Sequence, residues 1–278
     1  MAHQAPAESV LSSQFVFSNP TPTLFMCSLY MFLGIVAIAA NIFDMTVFLS
    51  SADLRRRYMF FIALDVAELF DGLCYILTSI GRGYGVLAGT FGKPITIHDC
   101  FFNRYWSHAL ILGTELPALI TIVVSVENVR LTELRLALQC FLGVAAFSAY
   151  HNFEQANTRH CAVITSTATF YSTFHFTFVV VAYVVSFISL SVIFVIHRRM
   201  KKTSQNSYGN KKSPQLGLFL SVTGISIILV SMPSIVMIGI RWQWFSVGDI
   251  IVGLTYSTTG FLSITNTVMN CLYQGRIP

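Results

Sequence analysis

The residues best able to do chemistry in this chain sit in apolar surroundings. Asp65, Glu68 and Asp71 are spaced i, i+3, i+6, which on a helix keeps three carboxylates on one slowly drifting side. Asn41 and Asp44 repeat the three-residue spacing, and His108, Glu115 and Glu127 share a later apolar stretch. Asn266 and Asn270 stand one turn apart. An ionisable group at membrane depth costs about 3 kcal/mol on insertion scales, so such groups face a bundle interior and often mark a site. Two roles are open. In the first, the groups only hydrogen-bond helices to one another. Alternatively, since three carboxylates on one helix exceed that need, a cation or proton is held near Glu68.

Catalytic patterns are missing. There is no H-E-x-x-H metal motif and no G-x-S-x-G elbow. Gly248-Asp249 has the order of an intramembrane aspartyl protease pair, but Ser246 stands where the first glycine belongs and no Tyr-Asp partner occurs. The seven histidines are too scattered for a metal cage. No enzyme, catalytic residue, cofactor or metal site is expected.

Six cysteines sort by depth. Cys27, Cys74, Cys140 and Cys271 fall inside apolar windows and read as small buried hydrophobes. Cys100 lies at the mouth of one apolar stretch and Cys161 just before another. Facing an oxidising compartment, the two are expected to form a disulfide, with a pair of free thiols as the alternative.

What must position these groups is a set of long apolar helices. Hydrophobic residues are 54% of the 278 and charged residues only 10%, with a mean hydropathy of +0.67. A soluble domain carries about 25% charged residues, so most of this surface must face lipid. Windows of about 20 apolar residues, the length that crosses a bilayer, occur seven times. They run from Thr23 to Phe48, Tyr58 to Ser79, Trp106 to Val129, Leu134 to Tyr150, Phe170 to Ile196, Leu216 to Ile240 and Phe245 to Leu272. The fourth is the shortest. The expected fold is an all-α membrane protein, a seven-transmembrane helix bundle.

Charge orients it. With the N-terminus outside and the C-terminus inside, twelve of the 17 basic residues lie in inner segments, as the retention of lysine and arginine in the cytoplasm requires. They include Arg55, Arg56, Arg57, Arg198, Arg199, Lys201 and Lys202. Removing the fourth span would put the His-Arg-Arg-Met-Lys-Lys run outside. The net charge of +5 follows no nucleic-acid-binding motif, so no nucleic acid partner is expected. Residues 1–22 form an outer segment without the basic start of a signal peptide. Residues 23–275 form the bundle, and 198–215 a polar cytoplasmic third inner loop. Pro117 and Pro233 each remove a backbone hydrogen bond and should kink their helices.

Several stretches carry a family likeness. Ala40-Asn41, Val66-Ala67-Glu68-Leu69-Phe70-Asp71-Gly72-Leu73, the run HDCFFNRYW followed by LGTELPALITIVVSVEN, Pro233, and Asn266 with Asn270 resemble the corresponding helices of rhodopsin-like G protein-coupled receptors. More narrowly, the chain is similar to the nematode serpentine chemoreceptors over about residues 23–275. The resemblance implies that Glu68 occupies the ion-binding acid position within a polar core of Asn41, Asp65, Asp71, Asn266 and Asn270. It implies that Glu127 and Pro233 belong to the activation switch, and that the partner is a heterotrimeric G protein. The chain departs from the family at Asn128, where the switch arginine belongs, at Ser231 in place of the helix-six tryptophan, and at Gln274, with Tyr273 beside it. The linker Val129 to Glu133 is also short, as though part of the second inner loop were missing.

The expected function is chemosensory reception at the plasma membrane of sensory neurons. A small, mainly apolar ligand would bind in the outer half of the bundle among Trp106, His108, Phe174, Trp242 and Tyr256. The inner basic residues would face the G protein or anionic lipid. Two alternatives stay open: a proton-coupled transporter using the carboxylates of the second span, and a receptor-derived product that no longer signals.

Overall fold

The computed structural model describes residues 20–91, 95–126, 131–154, 161–203, 214–245 and 249–274. Among them the backbone is helical, with no strand. In chain order the elements are α1 (Thr21–Leu49), α2 (Ala52–Arg57), α3 (Met59–Leu87), α4 (Ile97–Phe102), α5 (Tyr105–Val126), α6 (Leu131–Tyr150), α7 (Val163–Ser166), α8 (Thr169–Thr203), α9 (Pro214–Ser226), a π turn (Ile227–Ser231), α10 (Met232–Arg241) and α11 (Asp249–Gln274).

Four helical stretches are long and apolar enough to cross a membrane: Thr21–Leu49, Tyr105–Val123, Thr169–Arg199 and Leu220–Arg241. Three further helices coincide with expected spans but are more polar. α3 carries Asp65, Glu68, Asp71 and Arg82, α6 opens on Thr132, Glu133 and Arg135, and α11 is rich in serine, threonine and asparagine. The core is apolar, but so is much of the outside, and several ionisable groups are buried. Phe32, Phe147 and Phe170 are exposed, while Asn41, Asp44, Asp65, Glu68, Glu115 and His175 are buried. Large apolar side chains on the outside and polar ones within suit lipid as the solvent.

Local chemistry explains the ends and the irregularities. Pro22 sits in the first turn of α1, where its missing N–H is not needed. Ser51 caps α2, its hydroxyl accepting from the Leu54 N–H at 3.1 Å, and this tight cap turns the chain from α1 into α3. Thr96 caps α4 in the same way, accepting from the Asp99 N–H at 3.1 Å. The π turn ends two residues before Pro233, the residue that cannot donate to the preceding turn, and a wider turn is one way for the freed backbone to re-pair. The closest helix approach is glycine on glycine. A Cβ on Gly34 would lie 2.7 Å from the Gly72 carbonyl oxygen, so α1 and α3 meet backbone to backbone.

Two expected boundaries change. The second span was expected to end at Ser79, but α3 continues through Gly81, Gly83 and Gly85 to Leu87, with Gly81 making room for the Trp106 ring. Residues 198–203, expected in the third inner loop, instead form the last turns of α8. Lysine and arginine are good helix formers and suit the negative end of the helix dipole. Glu127, Asn128 and residues 1–19 lie outside the described residues.

Candidate functional site

Two buried constellations lie along the helix axes, and a cavity lies at one end. The first constellation joins α1, α3 and α11. Asn270 Nδ2 donates to Asp44 Oδ2 at 2.8 Å, and Thr267 Oγ1 donates to the same oxygen at 3.0 Å. Asn266 Nδ2 donates to Glu68 Oε1. Asn266 and Asn270, one turn apart on α11, thus reach acids on two different helices, which their shared face makes possible. Asn41 instead donates to the Ala37 carbonyl of its own helix at 2.9 Å. Asp65 and Glu68 are buried, and Asp65 Oδ2 and Glu68 Oε2 find no hydrogen-bond partner among the described residues. Glu68 also borders a cavity of about 20 Å3 shared with Thr121, Tyr183 and Ser226, room for about one water molecule. Asp71 lies against Gly113, where a Cβ would approach its Oδ1 to 2.6 Å. Among the described residues no group of three or more His, Cys, Asp and Glu is placed to hold a metal ion.

The second constellation joins α5 to α8. His175 Nδ1 lies 2.7 Å from Glu115 Oε1, and the Tyr171 hydroxyl donates to that same oxygen at 3.1 Å. Thr114 Oγ1 meets His175 Nε2 at 3.1 Å. Glu115, Tyr171 and His175 are all fully buried. His175 was not singled out in the sequence. Its signal was there in the pairing of Tyr171 and His175 four residues apart, hence on one face of a helix.

At the end of the bundle that carries Cys100 and Cys161, the chain is stapled. These two cysteines form a disulfide with Cα atoms 5.3 Å apart. Ser107 Oγ lies 2.9 Å from the Cys100 carbonyl and 3.1 Å from that of Cys161, and Trp106 packs with the pair. Cys161 takes a left-handed φ of 47°, and the chain then turns into α7. Beside α7 opens a cavity of about 120 Å3, lined by the start of α1, the end of α3, residues 162–165 and the near ends of α10 and α11. Its walls are mainly apolar, with Tyr30, Arg82 and Tyr256 as the large polar members. The Tyr30 hydroxyl donates to the Gly253 carbonyl at 3.0 Å. The Tyr75 hydroxyl reaches the Tyr256 carbonyl from below.

Of the five residues expected to line one pocket, only Tyr256 borders this cavity. Trp106 fills the space above Gly81 and stacks under Arg104 at 5.3 Å. His108 packs edge-on against Phe101. Phe174 is exposed, and so is Trp242, whose indole N–H donates to Thr173 Oγ1 at 3.1 Å. Aromatic character marks inner walls and lipid-facing surfaces alike, so it could not separate them. The basic residues Arg55, Arg56 and Arg57 lie on α2, and Arg198, Arg199, Lys201 and Lys202 close α8 at the same end of the bundle, opposite the disulfide. Arg198 sits over the Phe194 ring at 4.5 Å.

Comparison with protein-family models and with curated proteins returns no match for the chain. The site is therefore read from its own residues.

Proposed function

We propose that this chain is a seven-span chemosensory receptor of the rhodopsin-like class, with its N-terminus outside and its C-terminus inside. It resides in the plasma membrane of sensory neurons and binds a small, mainly apolar ligand in the outer half of its bundle. The observation that carries this reading is the cavity of about 120 Å3 beside the disulfide. It is partly enclosed by a short turn that the disulfide anchors, and bordered by α11, which also bears Asn266 and Asn270 of the buried polar set. Ligand held there would touch α1, α3, α10 and α11 together, and it shifts their arrangement only as far as it prefers one arrangement to another. Pro233 and the π turn give the α9 to α10 rod an irregular point about which such a preference can act. The basic ends of α2 and α8 then present a cationic inner surface to a G protein or to anionic lipid.

The test has two steps. Epitope tags on the two ends, stained in unpermeabilised cells, should label only the N-terminus; labelling of both or neither ends the reading. Cells expressing the tagged chain should then give calcium or cyclic-nucleotide signals to members of a small-molecule panel. A second reading, proton-coupled transport, draws support from the buried carboxylates of Asp65 and Glu68. It requires pH-dependent uptake that Glu68→Ala abolishes. A chain that reaches the surface but neither signals nor transports is a receptor-derived product without signalling.

A further inference from the structure

We infer that the outward face of α6 is the seam of a two-fold dimer, covered by the same face of a second copy of this chain in the same membrane. The inference rests on the reading that α6 crosses the bilayer, and it adds a surface and a partner.

One side of α6 packs on the rest of the chain. Ala145 and Ala149 are fully buried there, and the Phe141 ring lies 5.5 Å from that of Phe174 and 4.6 Å from that of Phe178 on α8. The other side carries Leu136, Gln139, Cys140, Gly143, Phe147 and Tyr150, all exposed. At 3.6 residues per turn these six fall within about 100° of arc, a continuous stripe along the helix. Such a stripe is ill suited to lipid. The exposed Val181, Val185, Ile188 and Val192 of α8 are aliphatic, and hydrocarbon solvates them. Gln139 is the ninth of the 20 residues of α6, so it stands near the middle of a helix about 30 Å long, at a depth where lipid offers no hydrogen bond. The exposed hydroxyls of Thr46 and Thr173 meet that difficulty by donating to carbonyls of their own helices at 2.7 and 2.8 Å. A side-chain amide has two N–H donors and a carbonyl, and a partner beyond its own helix satisfies them.

Three features make that partner a second copy. An amide is its own complement, since the N–H of one donates to the carbonyl of the other, a bond that glutamine makes between membrane helices. Two copies inserted the same way are related by a two-fold axis along the membrane normal, which sets like residues opposite like, so Gln139 meets Gln139. Gly143, one turn on, keeps no side chain between the helices; a Cβ there would meet no atom of the described residues within 4 Å. Charge complements itself at the start of α6. Glu133 and Arg135 are both exposed and fall on opposite flanks of the stripe. The two-fold axis therefore brings Glu133 of one copy beside Arg135 of the other, once on each flank.

The experiment uses the full chain in phosphatidylcholine vesicles at low protein density, with copper phenanthroline as oxidant. Two Cys140 thiols give it two electrons and lose two protons as one disulfide forms, read as a band of twice the chain mass on a non-reducing gel. In a Cys271→Ser background, Cys140 should cross-link at least about tenfold faster than Val192→Cys in a Cys140→Ser, Cys271→Ser background, because a standing dimer raises the local thiol concentration and chance collision does not. Gly143→Leu should lower the cross-linked fraction about tenfold by forcing the helices apart. The same substitution has room in the single chain and should leave Tm in dilute micelles unchanged or higher, leucine being the better helix former. Gln139→Leu should lower the cross-linked fraction about threefold, the worth of an interhelical hydrogen bond. Cross-linking of Cys140 no faster than that of Val192→Cys, or unmoved by Gly143→Leu or by Gln139→Leu, overturns the inference. A product of some other mass assigns the face to a different protein and overturns it as well. Failure here is distinct from failure of the receptor reading. If the epitope tags place only the N-terminus outside and Cys140 stays monomeric, the receptor stands and the dimer falls. If Cys140 cross-links as expected in a chain whose tags deny that topology, the dimer stands and the receptor falls.

Discussion

Replacing Glu115 by leucine tests whether α5 and α8 are joined by chemistry or merely by proximity. The substitution preserves approximate volume, so the cavity cost is small. What it removes is Oε1, the one oxygen on which the Tyr171 hydroxyl at 3.1 Å and His175 Nδ1 at 2.7 Å converge. Both groups are fully buried, so neither gains water as a substitute. In soluble proteins an orphaned buried group costs about 1–3 kcal/mol, while interhelical hydrogen bonds in membrane proteins average about 0.6 and reach about 1.7 kcal/mol. Two contacts to one oxygen at zero exposure belong near the upper end of the second range. The expected loss is about 2 kcal/mol, which for a chain of this size lowers Tm by about 4–8 °C.

The readout can use the protein's own thiols. Cys27 and Cys74 are buried while Cys140 and Cys271 are exposed, so a thiol-reactive dye on a Cys140→Ser, Cys271→Ser background reports unfolding alone. His175→Leu leaves Thr114 its bond to the Leu110 carbonyl at 2.9 Å and should cost less than Glu115→Leu. The double substitution should cost at least about 1 kcal/mol less than the two single losses together, because each single change strands the other's partner. Additivity within about 0.5 kcal/mol would show that the three groups are neighbours without being a network.

Three further perturbations follow from the same geometry. Cys100→Ser opens a bond closing 61 residues; the chain-entropy relation gives a loss of about 4 kcal/mol, and an unchanged Tm with and without reductant would contradict it. Gly34→Val places a Cβ 2.7 Å from the Gly72 carbonyl oxygen, a backbone atom that cannot step aside, and should cost about 1–3 kcal/mol. Gly83→Ala, whose Cβ meets nothing nearer than Cys27 Cβ at 4.0 Å, should be neutral or stabilising in the same thermal assay. Asp44→Leu strands the donors of Thr267 and Asn270 and should cost about 1–2 kcal/mol, whereas Asp44→Asn keeps an acceptor and should cost less; equal losses from both would deny that α11 is held through that oxygen.

How much of this was legible beforehand depends on whether a feature is local in the chain. Helix positions were legible, since an apolar window of bilayer length states its own structure: each window holds a helix, four of the helical stretches are long and apolar enough to cross a membrane, and the ends of α3 and α8, which run well past their windows, were not legible. The disulfide was legible because only Cys100 and Cys161 lay outside the apolar windows. The polar set was legible in part. The one-turn spacing of Asn266 and Asn270 announced a shared face, but nothing in it said that Asn266 would take Glu68 while Asn270 took Asp44, or that Asn41 would turn back on its own helix. Those choices depend on the rotation of α11 against α1 and α3, which no single helix encodes. The same limit misplaced the pocket. In water an exposed tryptophan is an anomaly that points inward, but in lipid Trp242 and Phe174 are at home on the outside, so hydrophobicity loses its sense of direction. Polarity gains it instead. Arg82, a charge near the end of α3, is not among the residues the sequence singles out, yet the cost of burying it is what makes its place beside the cavity informative. Where the outside of a bundle is as apolar as its core, a buried polar group says more about a site than a buried aromatic one, and the site is better sought among Arg82, Tyr30 and Glu115 than among the phenylalanines.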